Sequence, residues 1–270
     1  MTTFPSTHEE PRALDWTVAT TNFDGIEICY SRIGRGAPVL LLHGWGSSSA
    51  TLKPLALDLA RSFEVVCPDF PGHGGSGPPS EPWGVSEFVE VTRKLLNELG
   101  LETVDVVAHS FGGRVAAKLA AETPHRVRRL VLMAAAGLRP RRAFDYYVRT
   151  ILLKLAKLLA RLGGASGENL RRRLVRSFAS RDYLAAGPLR KTFIRVVRED
   201  LAGTYRRVSA PTLLIWGSED RETPLDQGKR LGRLIPDSDL LIVEGAGHFV
   251  FADRFHRVRW AIRRFLEAVL

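Results

Sequence analysis

The sequence predicts an α/β fold in which a mostly parallel, eight-stranded sheet is covered by helices on both faces. Short apolar runs rich in Val, Ile and Leu alternate with longer stretches whose apolar residues recur at helical spacing. The alternation is interrupted once, between positions 138 and 207, where the pattern is helical and predicts an insertion after the sixth strand. With 270 residues, 45% of them hydrophobic, the chain is long enough for one large α/β domain.

Eight strands and five core helices are assigned from this pattern. The strands are Trp16–Thr20, Ile26–Arg32, Val39–Leu42, Val65–Cys67, Val104–Ala108, Leu130–Ala134, Thr212–Trp216 and Leu240–Val243. The helices are Leu52–Arg61, Val85–Leu99, Phe111–Glu122, Leu225–Leu234 and Phe255–Val269. The first two strands predict an antiparallel hairpin at the N-terminal edge of the sheet.

The positive charge of the chain is concentrated in the helical insertion. We assign residues 1–137 and 208–270 to the core and residues 138–207 to this insertion, which is named the lid. The formal net charge is +10, and the stretch from Arg139 to Arg207 holds eighteen Lys and Arg residues against five Asp and Glu. The rest of the chain is therefore slightly acidic, and the basicity is a property of the lid.

Within the lid, Tyr146–Leu162 predicts an amphipathic helix, with Arg149, Lys154, Lys157 and Arg161 near one face. We favour a cap helix that covers the substrate pocket and leaves its basic face solvated. Two other interpretations stay open: contact of this helix with an anionic membrane, and lid arginines that point inward to hold a substrate carboxylate. Nucleic acid is not an expected partner, because no binding motif for it accompanies the basic residues.

Residues Val104–Gly113, V-D-V-V-A-H-S-F-G-G, predict a strand that turns sharply into a helix with Ser110 at the apex. Such a turn strains the serine backbone and crowds its surroundings, so only small residues fit two positions before and after it. Ala108 and Gly112 occupy those positions. The start of the helix directs backbone N–H groups and a positive dipole end toward a developing oxyanion. Ser110 is therefore a candidate nucleophile.

Two later segments supply an acid and a base. The buried strand in T-L-L-I-W-G-S-E-D-R-E-T-P is followed by a turn that carries Asp220, and the last strand leads into G-A-G-H, which ends at His248. A serine hydroxyl becomes a good nucleophile when an imidazole takes its proton and a carboxylate fixes the imidazole tautomer. The order serine, aspartate, histidine differs from the orders in the chymotrypsin and subtilisin folds.

The segment P-V-L-L-L-H-G-W-G-S, Pro38–Ser47, predicts a buried strand that ends in a glycine-rich loop. This loop can present the backbone N–H of Trp45, which together with that of Phe111 would form an oxyanion hole. His43 and Gly44 are expected to support the loop. His43 is interpreted as a hydrogen-bonding residue that organises it and not as a second base.

Five motifs in this order resemble those of the α/β-hydrolase superfamily. They are H-G-W-G at His43–Gly46, D-F-P-G-H-G-G-S at Asp69–Ser76, A-H-S-F-G-G at Ala108–Gly113, G-S-E-D at Gly217–Asp220 and G-A-G-H at Gly245–His248. Together they span nearly the whole chain. They are highly specific for the fold and poorly specific for the substrate.

The resemblance implies Ser110 as nucleophile, Asp220 as acid and His248 as base, and it places a lid over the active site at positions 138–207. Asp220 is preferred to Glu219 and Asp226 because it stands where the superfamily pattern has its acid. Of the other histidines, only His256 follows the last strand, and it is expected to be solvated.

These features predict a serine hydrolase that cleaves small to medium carboxylic esters through an acyl-enzyme on Ser110. One alternative is a C–C bond hydrolase of the meta-cleavage-product type, which the run H-S-F-G-G-R at His109–Arg114 would suit. Such enzymes commonly carry tryptophan after the base, whereas this chain has Phe249. Thioester cleavage is another alternative. From a different class, some proteins of this fold act as receptors that sense a ligand under the lid.

Composition narrows the remaining expectations. No apolar run reaches the length of a membrane span, and the first residues do not resemble a signal peptide. Only two cysteines are present, so a disulfide framework is not expected and a cytoplasmic location is. No His or Cys set has metal-ligand spacing, and no phosphate-binding loop is complete. We therefore expect neither a metal nor a cofactor.

Overall fold

A computed structural model describes residues 16–139 and 185–268, and the element labels below run over those residues. Its centre is an eight-stranded sheet in the order β1-β2-β4-β3-β5-β6-β7-β8. The strands are β1 Thr17–Phe23, β2 Ile26–Gly34, β3 Ala37–Leu42, β4 Phe63–Pro68, β5 Val104–His109, β6 Val127–Met133, β7 Thr212–Gly217 and β8 Ser238–Val243. All eight predicted strands are found, and the predicted fold is confirmed.

The pairing of the strands is antiparallel at one edge and parallel over the rest of the sheet. Strand β2 pairs with β1 and with β4 in the antiparallel sense, which confirms the predicted N-terminal hairpin. The pairs from β4 through β8 are parallel. Because parallel strands share one direction, the carboxyl ends of β3, β5, β7 and β8 meet at the same edge, and the loops that follow them converge there.

Helices lie on both faces of the sheet. They are α1 Ser49–Leu59, α2 Val85–Glu98, α3 Phe111–Glu122, α4 Arg190–Arg198, α5 Ala202–Tyr205, α6 Leu225–Leu234, α7 Val250–Asp253 and α8 Phe255–Glu267. Helix α1 begins earlier than predicted and holds Pro54 within it. The short helix α7 was not predicted, because four residues are too few to show a periodic pattern.

The alternation of side chains along β3 divides the core into two layers. Leu40 and Leu42 join a buried cluster with residues of α2, α3 and α6. Val39 and Leu41 join a second cluster with residues of α1, α7 and α8. The apolar runs of the central strands are thus buried on both faces, as expected for parallel strands covered by helices.

The predicted lid is described only at its two ends. The expected amphipathic helix at 146–162 lies outside the described residues, and so do its basic side chains. At the C-terminal end of the segment, Val196, Leu201 and Tyr205 belong to the same buried cluster as α3. Among the described helices, none combines the length and apolar character needed to cross a bilayer.

Candidate active site

Ser110 lies at the turn from β5 into α3 with φ 50° and ψ −110°, a backbone conformation that is unfavourable for a residue other than glycine. The surrounding space explains why small residues flank it. Ala108 is fully buried, and a Cβ at Gly112 would lie only 2.5 Å from the carbonyl oxygen of Leu42. The predicted sharp turn is therefore present, and it raises the Ser110 side chain at the carboxyl edge of the sheet.

The Ser110 side chain meets the two other predicted residues. Its Oγ is 3.0 Å from Nε2 of His248, and the other ring nitrogen of His248, Nδ1, is 2.9 Å from Oδ2 of Asp220. The competing acids Glu219 and Asp226 are exposed to solvent. The three loops that follow β5, β7 and β8 thus bring together the residues that the sequence singled out.

A tight turn holds the Asp220 carboxylate in place. Its Oδ1 accepts hydrogen bonds from the backbone N–H groups of Glu222 and Thr223, both at 2.9 Å, and its Oδ2 accepts one from the Thr223 hydroxyl at 2.8 Å. Burial alone raises the pKa of Asp220, but the hydrogen bond and charge of His248 and the Thr223 donors lower it below its usual value overall. Asp220 is therefore ionised near neutral pH and fully hydrogen-bonded.

His109 also contacts the loop of His248, which sequence reasoning did not predict. Its Nε2 lies 3.0 Å from the backbone carbonyl oxygen of His248, and the two rings are 4.8 Å apart. Burial, followed by the nearby charge of His248, lowers the pKa of His109 to about 3. A neutral His109 donates from Nε2 and ties the end of β5 to the loop that carries His248.

The two backbone N–H groups expected to bind an oxyanion come from different elements: Trp45 lies in the loop after β3, and Phe111 begins α3 directly after Ser110. Among the bonds formed by described residues, neither the Trp45 N–H nor the Phe111 N–H is engaged, and the centroids of the two side-chain rings are 5.3 Å apart. His43 holds this loop: Nδ1 donates to the Gly44 carbonyl at 2.7 Å, and Nε2 accepts from the Phe70 N–H at 3.0 Å. Burial lowers the pKa of His43 to about 4, so it is neutral in this role.

Ser110 and His248 open onto a pocket of about 570 Å³. Its walls are largely apolar. The exposed side chain of Val197 is part of the lining, and the exposed ring of Phe249 lies 5.6 Å from the His248 ring. The described residues that line it are Trp45, Ser110, Phe111, Arg114, Ala136, Gly137, Leu138, Phe193, Val196, Val197, Arg221, Glu222, Thr223, Gln227 and His248. A pocket of this size fits a small to medium organic substrate.

Three polar residues of the pocket were not predicted as site residues. Glu222 places Oε2 3.4 Å from Nε2 of His248, beside the hydroxyl of Ser110. Arg114 and Gln227 are almost wholly buried, although both line the pocket. The D-R-E-T spacing could have indicated Glu222, because the turn that binds Asp220 returns the chain toward His248; no local pattern indicates Gln227.

In the described part of the chain, no group of three or more His, Cys, Asp and Glu side chains is arranged to hold a metal ion. The chemistry that the site offers is acid–base and nucleophilic, from a serine, an imidazole and a carboxylate in sequence.

Comparison with known families identifies the same fold as the order and pairing of the strands. The model of the alpha/beta hydrolase fold family matches residues 37–255, most of the chain. This chain belongs to the alpha/beta hydrolase fold family. The match includes every motif region that forms the site, from the loop after β3 to the loop after β8.

Similar proteins within this family include named hydrolases. The chain is 31% identical over 270 residues to a 2-hydroxy-6-oxo-2,4-heptadienoate hydrolase of Pseudomonas putida, covering 90% of this chain and 94% of that one. It is 32% identical over 263 residues to a 2-hydroxy-6-oxononadienedioate/2-hydroxy-6-oxononatrienedioate hydrolase of Cupriavidus pinatubonensis, covering 83% and 86%.

A solved structure of a meta-cleavage product hydrolase from Pseudomonas fluorescens superimposes on this alpha/beta hydrolase with a TM-score of 0.69. The identity is 25%, and the alignment covers 90% of this chain and 94% of that one. The names of the relatives correspond more closely to the C–C hydrolase alternative than to an ester hydrolase.

Proposed function

We propose that this alpha/beta hydrolase is a serine hydrolase that transfers an acyl group to Ser110 and then to water. The observation that carries the proposal is the continuous series of contacts from Asp220 through His248 to Ser110, at 2.9 Å and 3.0 Å, the last two of which line the pocket. A serine with no such partners is a poor nucleophile.

In the proposed first step, Nε2 of His248 takes the proton of Ser110 as Oγ attacks the substrate carbonyl carbon. The Asp220 carboxylate stabilises the imidazolium that forms. The negative charge on the carbonyl oxygen is held by the N–H groups of Trp45 and Phe111, and the loss of one such donor typically costs about 10²–10³ in rate.

The tetrahedral intermediate then collapses and the bond to the leaving group breaks. His248 returns the proton to the leaving oxygen, which departs as an alcohol. Water enters, loses a proton to Nε2 and attacks the acyl carbon, and the carboxylic acid and free Ser110 are regenerated. We propose small to medium carboxylic esters as substrates, because an alkoxide is protonated directly by the group that the site provides.

A second candidate reaction is C–C hydrolysis, favoured by the names of the similar hydrolases from Pseudomonas putida and Cupriavidus pinatubonensis. Here the dienol of the substrate first tautomerises to a ketone, and the same serine then attacks the other ketone. The electron pair of the broken C–C bond leaves on carbon and is delocalised into the first ketone as a dienolate. His248 would protonate that carbon. The same three residues serve both reactions, so the leaving group decides between them.

The experiment that tests the nucleophile is labelling with a fluorophosphonate, which reacts with an activated serine whatever the natural substrate. The wild type should be labelled and Ser110→Ala should not, whereas Ser86→Ala, which removes an exposed hydroxyl on α2, should be labelled fully. Equal labelling of the wild type and Ser110→Ala would contradict the proposed function.

The bond that is cleaved is tested in a second assay on the same proteins. We would compare kcat/KM for p-nitrophenyl esters of increasing acyl length with kcat/KM for 2-hydroxy-6-oxo-2,4-heptadienoate. We expect the best ester to exceed the dienoate by at least about tenfold, a difference of about 1.4 kcal/mol in transition-state stabilisation. The opposite ratio would establish C–C hydrolysis as the main reaction.

A further inference from the structure

Two polar residues of the pocket have hydrogen-bonding capacity that the proposed mechanism does not use. Arg114 and Gln227 are only 6% and 5% exposed, and both line the pocket that opens on Ser110. Burying a charged guanidinium and an amide is unfavourable unless their donors find partners. Their unused donors therefore indicate that the pocket binds a ligand with hydrogen-bond acceptors.

The Arg114 guanidinium is only partly satisfied by the protein. Its Nη1 donates to the backbone carbonyls of Val196 and Glu199 at 2.9 Å and 3.0 Å. Within the described residues, Nε and Nη2 make no hydrogen bond, and Arg114 lines the pocket. These two parallel donors have the geometry that binds a carboxylate in a bidentate manner.

The nearest acidic side chains are engaged elsewhere. Oε1 of Glu199 accepts the backbone N–H of Val85 at 2.8 Å, and Oδ2 of Asp200 lies 3.8 Å from the Arg139 guanidinium. In the described part of the chain, no carboxylate lies within ion-pair distance of Arg114. Glu199 and Asp200 act on the charge of Arg114 only from beyond ion-pair distance, so a ligand carboxylate would be its first direct ion-pair partner in the described part of the chain.

Gln227, on another helix of the pocket lining, shows the same incomplete bonding. It lies in the first turn of α6, and its backbone N–H is bonded to the Pro224 carbonyl at 2.7 Å. Its side-chain amide forms no hydrogen bond with any residue of the described ranges 16–139 and 185–268, and the residue lines the same pocket as Arg114. An amide N–H₂ in this pocket provides a second donor for an anionic oxygen.

Arg114 lies away from the position of the leaving group. It is in the first turn of α3, and the carbonyls of Val196 and Glu199 hold its guanidinium against the end of α4. The leaving group must contact Nε2 of His248 to receive its proton, and that position is beside Glu222, 3.4 Å from the same nitrogen. A carboxylate therefore lies at the leaving side, whereas the buried cation of the pocket lies on the side of α3 and α4; the other arginine of the described lining, Arg221, is exposed.

We propose that the pocket binds a carboxylate at the far end of the acyl chain through Arg114 and Gln227, so that the preferred substrates are monoesters of dicarboxylic acids with an uncharged alcohol. The proposal rests on the serine hydrolase function proposed above. The apolar walls formed by Phe111, Phe193 and Val196 suit the methylene chain between the ester and the carboxylate.

Binding tests the proposal without turnover. With Ser110→Ala, we would measure Kd by calorimetry for glutarate, adipate and pimelate and for monocarboxylates of equal chain length. One dicarboxylate should bind about 10- to 100-fold more tightly than its monocarboxylate, as expected for hydrogen bonds to a charged group. Equal affinities for every pair would overturn the proposal.

Two variants test whether Arg114 and Gln227 cause the preference for the dicarboxylate. Arg114→Gln and Gln227→Leu should each reduce it to less than about threefold, whereas Arg233→Gln, an exposed arginine on α6, should leave it unchanged. Because Arg114 also holds the end of α4, Gln227→Leu provides the test if Arg114→Gln fails to fold. A preference that persists in Gln227→Leu and in any folded Arg114 variant would refute the assigned site.

Kinetics separate this inference from the function on which it rests. Wild type should hydrolyse monomethyl adipate with a higher kcat/KM than methyl hexanoate, again by about 10- to 100-fold. Fluorophosphonate labelling of Ser110 with no such preference would disprove the carboxylate site but leave the serine hydrolase intact. Absence of labelling would disprove the hydrolase function itself.

Discussion

Gly112→Ala tests how closely the turn at Ser110 is fixed. An added Cβ would lie 2.5 Å from the Leu42 carbonyl oxygen and 2.8 Å from that of His43, whereas ordinary contacts begin at 3.4 Å. The helix start or the end of β3 must therefore move by about 0.9 Å, the difference between 3.4 and 2.5 Å. Both are backbone atoms, so no side-chain rotation can relieve the contact.

Such a displacement should lower both stability and rate. Overpacking of this kind costs about 1–3 kcal/mol, which corresponds to a fall in Tm of about 2–12 °C for a domain of this size. Because the start of α3 also carries Ser110 and the Phe111 N–H, a shift near 1 Å should reduce kcat by about 10²-fold. Thermal denaturation and ester hydrolysis measure the two effects.

The control is Gly203→Ala, where the nearest atom to the added Cβ is the Arg207 side chain at 4.0 Å. Gly203 lies in the helix α5, so alanine there should be neutral or stabilising by up to about 1 kcal/mol. A Gly112→Ala protein with the Tm and kcat of the wild type would refute the argument from steric contact.

Three further predictions concern the ionisable groups of the site. Asp220→Asn should lower kcat by about 10⁴-fold through loss of the correct His248 tautomer. The pKa of Asp220 is lowered on folding, so the ionised carboxylate stabilises the fold above about pH 4, and this stabilisation is lost as the pH falls through the folded-state pKa. Asp220→Asn should remove it, which urea denaturation at pH 5 and pH 3 measures; a pH dependence equal to that of the wild type would contradict the argument. The pKa of His109 is lowered to about 3, so between pH 6.5 and 3 the unfolded chain binds a proton at this residue that the folded protein does not, and the unfolding free energy falls as the pH drops. His109→Gln keeps a donor for the His248 carbonyl and should reduce the slope of unfolding free energy between pH 6 and 4 by about 1.4 kcal/mol per pH unit. A slope equal to that of the wild type would exclude this role. Glu222→Gln should move the acid limb of kcat/KM to lower pH, because Glu222 lies 3.4 Å from Nε2 and its charge favours the protonated imidazole; the exposed Glu219→Gln should move it less, and equal shifts would point to a general charge effect.

The site residues that could be predicted are those that lie within a recognisable local sequence pattern. Ser110 was found from a strand followed by small residues, and His248 from a strand followed by a glycine-rich loop. Each pattern reflects a backbone geometry that only certain residues allow, so it is visible without the fold. The positions of the parallel strands were predictable for the same reason, since such strands are short and uniformly apolar. Their boundaries were less so: β4, β6 and β8 begin two or three residues before the predicted starts at Val65, Leu130 and Leu240.

Arg114, His109 and Gln227 could not be assigned in this way. His109 was visible within the turn, but its partner is the carbonyl of His248, which is distant in sequence. Arg114 looks like any helix arginine until α4 is packed against α3, and Gln227 faces the pocket only because α6 follows the Asp220 turn. Their roles depend on tertiary packing, which a single sequence does not specify.

The Asp220 turn joins two parts of the enzyme that could otherwise have varied separately. The same carboxylate that orients His248 also holds the backbone of Glu222 and Thr223, and the helix that begins at Leu225 presents Gln227 to the pocket. A change that alters substrate preference by moving α6 would therefore also tilt the imidazole of His248. Divergence toward new substrates should proceed by exchanging side chains on this helix while its first turn keeps its place.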